Sequence, residues 1–182
     1  MTIDSAKYNQ GFTLWFTGLP SSGKSTLANA VAEALKKRGI PVEKIDGDLF
    51  RQTISKDLGF TPEDIQKNDA RAVFVSQLLT RNGIATLTSF VSPYRKDREK
   101  AREKIGNFIE VYVKCPLEEC IKRDPKGNYK KALDGEIPNF IGLSSPYEEP
   151  ENPDIVVETD KESIIQCTQK IISALKTFGY LN

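Results

Sequence analysis

The segment Gly18-Leu-Pro-Ser-Ser-Gly23-Lys24-Ser25-Thr26 constrains this chain more than any other. It fits the pattern G-x-x-x-x-G-K-[ST], and its flanks suit the pattern. The run Phe12–Thr17 before it is short, apolar and aromatic-rich, as a buried strand would be. After it, Leu27, Ala28, Val31, Ala34 and Leu35 recur at helical spacing. Glycines at both ends of such a turn let the backbone curl so that successive N–H groups point inward. The positive end of the helix dipole lies beneath them. The segment therefore reads as a phosphate cradle for a nucleoside triphosphate. Gly18, Leu19, Pro20, Ser21, Ser22, Gly23, Lys24, Ser25 and Thr26 are the predicted ATP-binding residues. Lys24 supplies charge at the β- and γ-phosphates, and the Ser25 hydroxyl is placed to ligate Mg²⁺.

The rest of the chain alternates strand and helix signals. Arg38-Gly39 closes the first helix with a cation and a glycine. Short strands are predicted at Val42–Ile45, Ile84–Ser89, Ile109–Val113 and Ile155–Val157. Helices are predicted from Leu49 to Lys56, from Pro62 to Arg81, and from Lys161 to Phe178. This order predicts an α/β fold with three α/β/α layers, a P-loop nucleoside triphosphate hydrolase fold with a parallel sheet of about five strands. A length of 182 residues fits a single P-loop kinase domain, 1–182, with residues 1–11 as an N-terminal tail. Residues 123–153 hold five of the ten prolines and little periodicity, and read as a lid and substrate loop without regular structure.

Composition removes several classes of chemistry. The chain has no histidine, which excludes Ser-His-Asp and Cys-His mechanisms and histidine phospho-relay. Carboxylates, lysine, arginine, hydroxyls or an oxygen-held metal must do the work. A net charge of +1 argues against nucleic acid or a membrane surface as partner. No apolar run is long enough to cross a membrane, and Met1–Gln10 carries no signal-peptide pattern. Cys115, Cys120 and Cys167 cannot all pair, so a cytoplasmic setting with free thiols is expected. The expected partners are small nucleotide substrates, and a homodimer is compatible with the sequence.

No N-K-x-D guanine signature is present, which weighs against a GTPase. After the second strand comes Asp46-Gly47-Asp48, where small nucleotide kinases place acidic residues near the acceptor. A carboxylate there can orient an acceptor hydroxyl and take its proton, or hold Mg²⁺ through water. Asp48 is the candidate for the first role, and Ser25 with Asp46 for the metal.

Several phrases then resemble one family. They are Asp46-Gly-Asp48 with Arg51, Asp57-Leu-Gly-Phe60, Ser89-Phe-Val-Ser92-Pro-Tyr-Arg95, Arg123-Asp-Pro-Lys-Gly127, and Pro146-Tyr-Glu-Glu-Pro-Glu-Asn-Pro153. Together with the cradle they occur in the order found in adenylylsulfate kinases, over roughly residues 11 to 178. The resemblance implies transfer of the ATP γ-phosphoryl group to the ribose 3′-hydroxyl of adenosine 5′-phosphosulfate, with Mg²⁺ as cofactor. It implies Phe60 and Phe140 on the two faces of the acceptor base, Arg51 at its anionic tail, and Asn68, Val91 and Asp48 as further substrate contacts. It also implies Arg123 beside the ATP adenine. Ser92 is the family's serine position and completes the catalytic set Lys24, Asp48 and Ser92. With no histidine to activate it, direct in-line transfer is the simpler chemistry.

The chain departs from the family's common pattern at Leu49, Ile65, Asp69 and Ala70. A common arginine is replaced by Ile65, and the usual Asn-Ile-Arg-Arg reads Asn68-Asp-Ala-Arg71. These changes remove cations where the phosphosulfate would sit. A related 3′-kinase acting on another activated nucleotide, such as a cytidine diphosphate derivative, remains open. So does a nucleotide-binding regulatory module without catalysis, against which Lys24, Ser25 and Asp48 all argue.

Overall fold

The computed structural model describes residues 10–182. Residues 1–9 of the predicted tail, and most of the segment searched for a signal peptide, lie outside the described residues. Five strands form one sheet: β1 (Phe12–Thr17), β2 (Val42–Asp46), β3 (Ala85–Ser89), β4 (Phe108–Lys114) and β5 (Ile155–Glu158). Their order is β2-β3-β1-β4-β5, and every pairing is parallel. The three-layer expectation is met. Helices α1 (Lys24–Lys36) and α7 (Ile164–Thr177) pack together on one face, and α3 (Pro62–Arg81) and α4 (Arg95–Ile105) on the other.

The central strand β1 shows why this arrangement holds. Phe12, Leu14 and Phe16 alternate onto the face covered by Leu27, Val31 and Leu35 of α1 and Ile171 and Leu175 of α7. Trp15 points the other way, into a second cluster with Phe50, Ala72, Val73, Phe90 and Phe108. Thr13 and Thr17 share that face, and each is hydrogen-bonded there: the Thr13 hydroxyl to that of Thr80 at 2.7 Å, and the Thr17 hydroxyl to the Val91 carbonyl at 2.7 Å. A strand buried on both faces must be apolar or fully hydrogen-bonded throughout, and this one is. Gly11 enters the strand against α3, where a Cβ would sit 2.1 Å from the Thr80 carbonyl oxygen.

Capping explains where helices begin. Thr61 caps α3 with Pro62 at its first position, and Ser163 with Gln166 forms a capping box on α7. The closing helix thus starts at Ile164 rather than Lys161. Asp46 caps α2 (Gly47–Thr53), so that helix starts and ends earlier than its apolar residues suggest.

Sequence periodicity missed three helices: α4, α5 (Leu117–Arg123) and α6 (Asn128–Leu133). Helix α4 is almost entirely charged and buries only Arg98, Ala101 and Ile105, which leaves no apolar stripe to read. Helix α6 corrects the expectation that 123–153 is structureless, because Tyr129 within it is fully buried. The end of the same stretch is also fixed to the sheet. The Tyr147 hydroxyl lies 2.9 Å from that of Thr17, and the Glu148 amide donates to the Pro93 carbonyl at 2.9 Å.

Leu14 is fully buried at the centre of the larger core and Phe74 on α3 is 60% exposed. Leu14→Ala should cost about 2–5 kcal/mol in urea unfolding, and Phe74→Ala no more than about 0.5 kcal/mol. Equal costs would contradict this placement of the core.

Candidate active site

In an open parallel sheet the strand order reverses at one point, and the loops on either side splay apart there to leave a crevice. Here that point lies at β1, between β3 and β4. The loop from Gly18 to Gly23 leaves β1 at this edge and opens α1. Gly18 has φ 153° and lies so close to β4 that a Cβ would sit 2.5 Å from the Val113 carbonyl oxygen. Gly23, at φ 99°, turns the chain into the helix. The Lys24 ammonium donates to the carbonyls of Gly18 at 3.0 Å and Leu19 at 2.7 Å, and desolvation lowers its pKa to about 8.

Asp46 holds the next element in place with both oxygens. Oδ1 accepts the amides of Asp48 and Leu49 at the start of α2, at 3.0 and 3.4 Å. Oδ2 accepts the Ser25 hydroxyl at 2.6 Å. One carboxylate thereby ties the start of α1 to the start of α2. Ser25 and Asp46 form a hard oxygen pair at the cradle, suited to a divalent cation such as Mg²⁺. Among the described residues no group of three or more His, Cys, Asp or Glu could hold a metal, so any such ion would draw on Ser25, Asp46 and ligand oxygens.

Asp48, two residues on, has an exposed side chain that accepts a hydrogen bond from Lys126 of the loop between α5 and α6. Lys126 belongs to a lysine-rich stretch with Lys130 and Lys131. Its contact with Asp48 brings the loop across the mouth of the site.

The two ends of the site are lined by one cavity of about 1000 Å³. It reaches Lys24, Ser25 and Asp46 at the cradle and Arg123 at the end of α5. It also reaches Asp48, Arg51, Phe60, Asn68, Val91, Ser92 and Phe140. Arg51 lies over the Phe60 ring, 4.4 Å from its centroid, and donates to the Gly59 carbonyl at 2.7 Å. Phe140 meets the Tyr129 ring edge-on at 4.9 Å, and the Tyr129 hydroxyl donates to the Pro20 carbonyl at 3.0 Å. Tyr129 therefore joins one aromatic wall to the phosphate loop. Arg123 donates to the Thr159 hydroxyl at 3.1 Å and to its carbonyl at 2.7 Å, while the Thr159 hydroxyl donates to the Ser22 carbonyl at 2.8 Å.

Ser92 is nearly fully buried and sits in a left-handed conformation with φ 42°. Its Oγ accepts the Trp15 indole N–H at 3.0 Å, and its carbonyl accepts Arg98 Nη1 at 2.6 Å. Those bonds suit a residue that shapes the cavity wall. Asn68 and Asp69 on α3 are also buried, and Asn68 Oδ1 and Asp69 Oδ2 have no hydrogen-bond partner.

Most sequence-predicted residues thus share one cavity. Gly18, Leu19 and Ser22 do not line it. The carbonyls of Gly18 and Leu19 receive Lys24, the Leu19 side chain packs beside Gly142, and Ser22 is buried beneath the loop. Sequence reasoning gave no role to Thr159, which carries no motif, or to Tyr129, which is noted only within the family-like phrase Tyr129-Lys-Lys131.

Comparison with known proteins agrees with this geometry. The family model described as adenylylsulphate kinase matches residues 10–158. An adenylyl-sulfate kinase of Halothermothrix orenii is 54% identical over 173 residues, covering 95% of this chain and 94% of the relative. One from Synechococcus is 49% identical over 172 residues, covering 94% and 98%. Among solved structures, the Mycobacterium tuberculosis APS kinase CysC in complex with AMPPNP and APS superposes with a TM-score of 0.88 at 40% identity. That match covers 92% of this chain and 98% of that one. By its cradle, its cavity and its similarity along almost the whole length, the chain belongs to the adenylylsulfate kinase family.

Proposed function

We propose that this chain transfers the γ-phosphoryl group of ATP to the ribose 3′-hydroxyl of adenosine 5′-phosphosulfate, forming 3′-phosphoadenosine 5′-phosphosulfate and ADP. The observation that carries the reading is the continuity of one cavity from Lys24 and Ser25, past Asp48, to Phe60 and Phe140. A donor at the cradle and an acceptor between the rings would both face Asp48. The relatives named as adenylyl-sulfate kinases, and the structure described as holding AMPPNP and APS together, support the same reading.

In this scheme the cradle amides and Lys24 bind the ATP phosphates and offset charge on the transferring group. Ser25 and Asp46 would hold Mg²⁺, which neutralises phosphate charge when bound. Asp48 orients the acceptor hydroxyl and takes its proton, a role that requires Lys126 to release or share it. Phe60 and Phe140 stack the acceptor base, Arg51 meets its anionic tail, and Asn68 and Val91 complete that wall. Arg123 flanks the ATP base. Ser92 acts by position, its hydroxyl being engaged by Trp15. No helix among the described residues is long and apolar enough to cross a membrane, and we place the reaction in the cytoplasm, where ATP is supplied. Self-association is part of the proposal, since one relative's structure is described as a hexameric APS kinase.

The deciding experiment is ATP consumption with a panel of acceptors, comparing kcat/KM for adenosine 5′-phosphosulfate and for cytidine diphosphate derivatives. Preference for the cytidine compound would remove the proposed acceptor. Lys24→Ala should abolish turnover. Asp48→Asn should lower kcat by about 10²–10⁴-fold with ATP affinity nearly unchanged. A near-normal kcat in Asp48→Asn would move the proton-accepting role elsewhere. Phe60→Ala should weaken acceptor binding by roughly 1–3 kcal/mol, about five- to 150-fold, without a comparable effect on ATP. Phe60 is 60% exposed, so its truncation tests the site with little cost to folding.

A further inference from the structure

Asp69 is an acid where an acid is costly. It lies on α3 with 5% of its surface exposed, in the wall of the acceptor end of the cavity. Its Oδ2 has no hydrogen-bond partner, and neither does Oδ1 of the adjacent, equally buried Asn68. Two neighbouring buried oxygens without donors cost free energy, so the pair calls for an explanation beyond packing. The groups around Asp69 come from three elements. Arg51 faces it from α2, Asp97 and Arg98 from α4, and the Ser92 hydroxyl from the loop after β3. Tyr94 lies close enough to feel its charge. Arg98 is already engaged by Glu110, and Asp97 opposes ionisation. Arg51 is the cation left to answer Asp69, and Asp69 is its leading electrostatic partner.

The arrangement sets up a competition. Arg51 is the cation proposed for the acceptor's anionic tail, yet an ionised Asp69 would occupy its charge and repel that tail. Ile65, which also lines the cavity, supplies no compensating cation. We infer that Asp69 is a specificity-determining residue of the acceptor cavity that holds a proton whenever an anionic acceptor is bound. Acceptor binding then takes up a proton, leaves the Arg51 charge unopposed for the tail, and presents a carboxyl O–H as a donor in place of a second cation. Burial, opposed mainly by the Ser92 hydroxyl, raises the Asp69 pKa to about 7, so the exchange falls in an accessible pH range. Below that pH the residue is already neutral, and affinity is at its plateau. As pH rises through 7 the proton must be taken from solvent, and affinity falls.

The inference rests on the proposed acceptor, and the test separates the two. Binding of adenosine 5′-phosphosulfate is measured by calorimetry from pH 6 to pH 8.5, in buffers of different ionisation enthalpy. A cytidine diphosphate derivative is measured in parallel, and ADP binding serves as the control for an intact cradle. The phosphosulfate group and the adenine do not titrate in that range. In the unaltered protein the acceptor Kd should rise about tenfold between pH 6 and pH 8, with close to one proton taken up per acceptor at pH 8. Asp69→Asn should bind with no proton uptake and a nearly flat profile, about tenfold tighter than the unaltered protein at pH 8. Asp69→Ile should likewise lose the pH dependence. Identical pH profiles in the unaltered protein and both variants would overturn the role of Asp69 while leaving the acceptor standing. Loss of affinity in Asp69→Asn at pH 8 would also overturn it, since the ionised carboxylate would then be accepting a donor from the ligand. Failure of the phosphosulfate to bind at pH 6, with ADP and the cytidine compound binding normally, would remove the acceptor and the inference together.

Discussion

The buried guanidinium of Arg98 is the interaction on which the acceptor side of this molecule depends. It donates to Glu110 on β4 at 2.7 Å, to the Ser92 carbonyl at 2.6 Å and to the Glu148 carbonyl at 2.6 Å. A charge withdrawn from water is tolerable only when paired and hydrogen-bonded, and three bonds to three separate segments supply its partners. Removing any one segment would leave the cation short of a partner. The requirement thus locks together a strand edge, the wall holding Ser92 and the last part of the proline-rich stretch. Glu110 feels the same burial, which pushes its pKa upward against the pull of Arg98.

A similar economy governs the phosphate side. Asp46 satisfies two amides and one hydroxyl, so the cradle, its helix and α2 cannot shift independently. Thr159 joins Ser22 to Arg123, and Tyr129 joins Pro20 to Phe140. The loop that curls around phosphate is therefore tied on three sides by side chains distant in sequence. Preorganisation of this kind lowers the entropy cost of binding a flexible triphosphate.

What could be read from the chain, and what could not, follows from the reach of each signal. The cradle, β1 and the long helix α3 announce themselves because glycine placement, apolar runs and caps act over a few residues. Phe60, Phe140 and Arg51 became site residues through resemblance, since a lone aromatic or cation carries no address of its own. Helix α4 stayed silent because its buried face is centred on an arginine, and hydrophobic periodicity cannot register a salt bridge made 12 residues away. Tyr129 and Thr159 are hidden for the same reason: each matters through contacts with segments remote in sequence. Asp69 could be seen as a departure from a pattern, but its unpartnered oxygen belongs to three-dimensional space alone.

The contact between Lys126 and Asp48 has a consequence for how nucleotides enter. The two residues come from opposite rims of the cavity and neutralise each other across its mouth. Both side chains are exposed, so the pair is held weakly and opens at little cost. An anion that reached Lys126 would compete with the Asp48 carboxylate for that ammonium, an exchange of partners rather than an addition of charge. Under the proposed function, that exchange would uncover the proton-accepting carboxylate of Asp48 as the site fills.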